Sequence, residues 1–236
     1  MRSAFPGFPP EGLAFLRALQ RHNRREWFQP RKHIYEEKLR APMDALVTAL
    51  NAELAKFAPD YITDPEKAIY RVYRDTRFSP DKTPYKTHIA AVFPRRGMPR
   101  HAGAGLYFQV SPEGVEVAGG VYMPPPENLL AMRRYLLEHH AEYRRIVSSP
   151  TVRRLAGDVV GERLARAPKG FPADHPAADL VRYKQWYFDA MLEAGLAETP
   201  QLLPELVARF RAMIPLVEFF NGPLVKKGGQ IRLTPL

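Results

Sequence analysis

Residues 105–123 read GLYFQVSPEGVEVAGGVYM, and the fold turns on this stretch. Two short runs, GLYFQVS and GVEVAGGVYM, are rich in β-branched and aromatic residues, and only Ser111, Pro112, Glu113 and Gly114 mark the junction between them. Runs of that composition read as strands, and a connection of that composition as a hairpin turn. A parallel pair would need a crossover of about a dozen residues or more, so the pair is antiparallel. Gly119 and Gly120 inside the second run predict a bulge or a close backbone approach. Upstream, KAIYRVYRD (67–75) and THIAAVFP (87–94) have the same character and extend the pattern to an antiparallel meander.

On both sides of the meander the hydrophobic period becomes helical. In PPEGLAFLRALQRHN (9–23), Leu13, Leu16 and Leu19 recur at helical spacing, and Asn23 is placed to stop the helix. A second pattern from Pro30 carries Tyr35 and Leu39, then Met43, Leu46, Val47, Leu50, Leu54 and Phe57. Pro42 interrupts it, which predicts a break or kink near Ala41 because proline lacks the backbone donor and clashes with the preceding turn. Downstream, PPPENLLAMRRYLLEHHAEYRRIVSS (124–149) is helical, and residues 150–166 have room for a further short helix. APKGFPADHPAAD (167–179) reads as a loop, and KQWYFDAML (184–192) as an edge strand. The last helix, from Pro200 to Phe220, carries Leu203, Leu206, Val207, Phe210, Met213, Ile214 and Val217, with Thr199 as N-cap; residues 226–236 read as a mobile tail. No repeat or low-complexity linker divides the chain. The pattern is a single α+β domain over residues 1–225, an antiparallel meander sheet flanked by N-terminal and C-terminal helices.

Composition limits the chemistry. The chain has 236 residues, 45% of them hydrophobic and 25% charged, the balance of a globular protein. It has no cysteine, which excludes disulfides, thiolate metal sites and cysteine nucleophiles. No apolar run approaches membrane-span length and MRSAFPGFPPEG lacks a signal-peptide core, so a cytoplasmic protein with no membrane partner is expected. Phosphate-loop, dinucleotide-binding, nucleophile-elbow and zinc-helix motifs are absent. His139 and His140 are neighbours on a helix and point about 100° apart, so they form no two-ligand face and read as a solvated helix end.

The net charge is +10, and its distribution is uneven. Between residues 67 and 88, Lys67, Arg71, Arg74, Arg77, Lys82 and Lys86 face only Asp75 and Asp81. Were residues 69–75 a regular strand, Arg71 and Arg74 would lie on opposite faces, and one of them would need a carboxylate or a bound anion as partner. Two readings follow. In one, the aspartates pin a salt-bridged strand and turn. In the other, Arg71, Arg74, Arg77, Lys82, Tyr85 and Lys86 bind a phosphorylated or carboxylated small molecule, with Tyr73 to orient it and Asp75, Asp81 or His88 as candidate acid or base. The same cations on an open face would suit nucleic acid, although no uninterrupted basic run or RNA-recognition signature is present. Asp75 and Asp81 supply oxygen ligands of the kind magnesium takes, but two carboxylates do not make a metal site, and no cofactor is evident. Weaker candidates are Asn23, Glu26, Trp27 and Phe28 between helices, the Gly119, Gly120 and Tyr122 strand end, and the Lys169, Gly170, Phe171, His175 and Pro176 loop.

RVYRDTRFSPDKTPYKTHIA (71–90), with NRREWFQPRKHIYEE (23–37), GGVYMPPPENLLAMRRYL (119–136) and APKGFPADHP (167–176), resembles an uncharacterised family of bacterial and fungal proteins, the domain of unknown function DUF2461. The resemblance spans about Phe8 to Leu224 and is densest at Arg74, Asp75, Arg77, Phe78, Asp81, Lys82, Pro84, Tyr85 and Lys86. It implies no activity and assigns no catalytic residue.

Overall fold

The structure, a computed structural model, describes residues 5–77 and 79–225. Phe78 and the expected tail, 226–236, lie outside the described residues. The helices are α1 (Pro10–Arg21), α2 (Arg25–Phe28), α3 (Lys32–Tyr35), α4 (Ala41–Leu54), α5 (Pro65–Ala68), α6 (Pro126–Val147), α7 (Pro150–Ala156) and α8 (Leu202–Asn221). The strands are β1 (Ile89–Pro94), β2 (Gly105–Ser111), β3 (Gly114–Val121), β4 (Val159–Val160) and β5 (Trp186–Leu192). They form one five-stranded antiparallel sheet in the order β1-β2-β3-β5-β4, so the fold is α+β.

By internal contacts the chain separates into two compact units, each assembled from three stretches: Met1–Val92, Tyr107–Val117 and Met191–Val207 in the first, Phe93–Leu106, Ala118–Ala190 and Ala208–Leu236 in the second.

In the first unit, α1 buries Leu13, Leu16 and Leu19 on the predicted stripe. The break expected near Ala41 takes the form of a π-helical turn, Glu36–Arg40, directly before α4. Pro42 has no N–H to offer the preceding turn, and widening that turn by one residue removes the clash without leaving helical backbone angles. Met43, Leu46, Val47, Leu50 and Leu54 of α4 are then all buried. The β2–β3 hairpin is closed by Ser111, whose Oγ donates to the Gly114 carbonyl at 3.1 Å.

In the second unit, Trp186 is fully buried and stacks on Phe220 with centroids 4.9 Å apart. Gly120, at φ +137°, lets the Trp186 carbonyl approach closely enough that any Cβ there would collide with it. The expected close approach at the glycine pair is therefore present.

Three expectations are corrected. KAIYRVYRD is not a strand: Asp64 caps α5 by accepting from the Glu66 N–H at 2.9 Å, and only isolated bridges at Ile69 and Tyr73 follow. KQWYFDAML is not an edge strand, since β5 lies between β3 and the two-residue β4, with Val159 opposite Phe188 and Val160 opposite Tyr187. His139 and His140 lie inside α6 instead of at its end. His139 leaves helical geometry at φ −120° and ψ 22°, stacks on Tyr135 at 3.9 Å, and kinks a helix that then continues.

Candidate functional site

The charged segment is an irregular ribbon of the first unit. Tyr73 bridges Tyr85 and Ile69 bridges Ala91, both antiparallel. Four residue steps on one side therefore face six on the other, and the ladder carries a two-residue bulge. Its flanks are the Lys86 N–H on the Val72 carbonyl at 2.8 Å and the Tyr70 N–H on the Ala90 carbonyl at 2.9 Å. Thr87, His88 and Ile89 together stand opposite Arg71. Bulges recur beside functional sites because they re-aim one side chain out of the strand's alternation.

The loop beyond this ribbon is braced by its own polar groups. The Arg74 guanidinium donates to Asp81 and to the Thr83 hydroxyl. Asp81 also accepts from the Thr83 N–H at 2.9 Å. Arg77 donates to both oxygens of Asp75, at 3.0 and 2.7 Å, and its N–H donates to the same carboxylate at 3.2 Å. These contacts hold both carboxyls well below the usual carboxylate range, at about 2; Arg77 is the main cause for Asp75 and Arg74 for Asp81. Lys82 reaches the Thr76 carbonyl at 2.9 Å. Both aspartates are thus ionised acceptors at neutral pH and have no proton to give as acids.

Of the two arginines expected to divide between faces, Arg71 is exposed and Arg74 is partly covered. Neither is buried, because the bulge and the isolated bridges break the strict alternation. Tyr85 is buried and stacks on Phe28 at 4.0 Å, which commits its ring to the core, whereas Tyr73 keeps 42% of its surface exposed. Lys86 lies 4.8 Å over the Tyr70 ring, and Tyr70 meets Tyr107 edge-on at 6.3 Å. His88 is half-buried. Burial and the Lys86 ammonium lower its pKa, while Glu113 acts in the opposite sense. A neutral imidazole accepts a proton more readily than it donates one.

Asn23, named from the sequence as a helix stop and a weaker site candidate, supports this region through a partner that sequence reasoning missed, as it missed Gln20. Asn23 donates to the Tyr85 carbonyl at 2.8 Å and accepts from the Tyr85 N–H at 3.0 Å. Gln20 of α1 donates to Glu113 at 2.5 Å and is the main cause of that carboxyl's lowered pKa. Neither contact has a periodic signature, since the partners are 62 and 93 residues apart. Of the weaker candidates, Phe28 is core and Trp27 stacks on His22 at 5.8 Å with Arg31 4.8 Å over its ring. Tyr122 is exposed and meets Tyr187 edge-on at 5.5 Å. The 167–179 loop is tied to α6 through Arg144, which donates to the Pro176 carbonyl at 2.9 Å and to Asp179 at 2.8 Å. Among the described residues no helix is long and apolar enough to cross a membrane.

In comparison with known families, the family described as "Conserved hypothetical protein (DUF2461)" matches residues 11–219. No curated protein and no solved structure matches the chain.

Proposed function

Because the chain belongs to the DUF2461 family of conserved hypothetical proteins, a description that carries no activity, we propose from geometry that it binds a phosphorylated or carboxylated small molecule on the 71–88 ribbon. The supporting observation is a division of labour within the segment. Asp75 and Asp81 are engaged by Arg77 and Arg74, which brace the loop, while five cations to two carboxylates leave the segment with a positive surplus. Arg71, Lys82 and Lys86 face the anion in this reading, and the exposed Tyr73 ring packs on the organic part of the ligand. His88 on the bulge is the proton acceptor if a reaction follows binding. In this reading the protein is cytoplasmic.

The test is a thermal-stability screen of nucleotides, phosphosugars and carboxylates, since a ligand that binds only the folded chain raises its melting temperature. A saturable shift lost in Arg71→Ala and Lys82→Ala variants supports the proposal. A nucleic-acid surface gives instead an affinity falling with salt at a log–log slope near −0.9 per neutralised phosphate. A second reading, favoured by the Arg74–Asp81–Thr83 contacts, makes the segment purely a brace. It predicts that no ligand shifts the parent while Arg74→Ala melts well below it.

A further inference from the structure

We propose that Arg133, in the second unit, is the centre of a separate oxyanion site that receives the carboxylate or phosphate of a small molecule. The proposal does not rest on the 71–88 ribbon.

Arg133 occupies a position of the apolar stripe of α6, between Met132 and Leu136, and only 9% of its surface is exposed. Its Nη2 donates to the Tyr183 carbonyl at 2.8 Å. Its Nε is buried and has no acceptor among the described residues. No ion pair among the described residues joins it to a carboxylate, and acids of the same unit are engaged elsewhere, Asp179 by Arg144 and Glu162 by Lys184. Burial alone shifts the guanidinium, downward.

A buried guanidinium with one carbonyl acceptor and an orphaned N–H is an incomplete arrangement, because a buried charge is tolerated only when paired and fully hydrogen-bonded. The planar fork fits a carboxylate or phosphate through two parallel N–H bonds, and Nε is one of its prongs. Two further features lie around the same tyrosine. Arg163 sits 4.2 Å over the Tyr183 ring and donates to its hydroxyl, adding a second cation. Gln185, two residues on, keeps a buried Oε1 with no donor among the described residues. A carboxylate or phosphate oxygen supplies the acceptor that the Arg133 Nε lacks. A ligand-free alternative exists, in which Arg133 only staples α6 to the Tyr183 segment.

The experiment is calorimetric titration of the full chain with inorganic phosphate and, separately, succinate at constant ionic strength. It is run on the parent and on the Arg133→Met, Arg133→Lys and Lys82→Ala variants. Expected is saturable binding of at least one probe by the parent, with an Arg133-dependent component that weakens tenfold or more in Arg133→Met; Lys82→Ala removes only what the 71–88 ribbon contributes and leaves that component in place. Arg133→Lys keeps the charge but loses the fork, and it too weakens binding. If Arg133→Met does not fold, Arg133→Lys decides: weakened binding supports the site and unchanged affinity overturns it. Absence of saturable binding, or parental affinity in Arg133→Met, overturns the proposal. Loss in Lys82→Ala alone assigns the anion to the ribbon and overturns this site while sparing the other reading.

Discussion

The side chain of Asn23 pairs with the backbone of Tyr85 as a strand would, donating to its carbonyl at 2.8 Å and accepting from its N–H at 3.0 Å. The same device recurs twice. Asn51 accepts from the Thr63 N–H at 3.1 Å and donates to its carbonyl at 2.7 Å. Asn221 accepts from the Ala104 N–H at 2.9 Å and donates to its carbonyl at 3.0 Å. A primary amide presents one donor and one acceptor side by side, so it satisfies both backbone groups of a residue on the side where no strand pairs with them.

Truncating these amides should destabilise in order of burial. Asn221 is fully buried, so Asn221→Ala orphans two buried backbone groups and costs roughly 2–4 kcal/mol. Asn23→Ala, where the site is part-buried, costs about 1–2 kcal/mol because water replaces some of what is lost. Urea unfolding of the two variants checks the order. Equal midpoints would mean that the clamps do not work through burial.

The Asp81 contacts have a defined pH window. The folded carboxyl titrates at about 2, below the ordinary value near 4, so its stabilisation is present above about pH 4 and is lost as pH falls towards 2. A difference in melting temperature between the parent and Asp81→Asn should therefore be constant from pH 5 to 7 and close below pH 4. Because Asp81 is exposed, the difference is small, and raised salt should reduce it.

His88 acts in the same pH direction as Asp81, over a higher window. Burial, reinforced by Lys86 and opposed by Glu113, lowers its pKa, so the folded chain binds a proton less readily than the unfolded one. Stability must then fall as pH drops below the unfolded value of about 6.5. His101 is shifted the same way by its own burial, so the comparison has to be made against His88→Gln. That variant should show a shallower loss of melting temperature between pH 7 and 5; an identical profile would assign the slope to His101.

The sequence pattern and the structure agree where the structure is local. Leu13, Leu16 and Leu19 are buried because a three-residue spacing suffices to define a helix face, and Pro42 marks the π turn because its missing donor acts within one turn. They part where the determinant is distant or cooperative. KAIYRVYRD has strand composition, but Asp64 and Pro65 ahead of it start a helical turn, and the two-residue bulge depends on where the partner strand runs. The Asn23 clamp and the Gln20–Glu113 contact follow from tertiary packing alone. Nothing in the sequence singles out Arg133, whose orphaned Nε depends on which groups pack round it in the fold.

The glycine pair of β3 separates two kinds of close approach. At Gly119 an added Cβ would lie 2.9 Å from the Cβ of Met213 and 3.2 Å from a Leu106 methyl, so neighbouring side chains must move. Overpacking of that kind costs about 1–3 kcal/mol, and Gly119→Ala should fold with a reduced urea midpoint. At Gly120 the obstacle is the Trp186 backbone carbonyl, and φ of +137° is a conformation that an alanine adopts only with strain. Backbone of a paired strand does not yield as a side chain does. Gly120→Ala should therefore lose upwards of about 3 kcal/mol, enough to remove much of the stability of an ordinary domain. Soluble yield and urea midpoints measured side by side decide the point. If Gly120→Ala matched Gly119→Ala, the β3–β5 approach at Trp186 would be looser than its geometry requires.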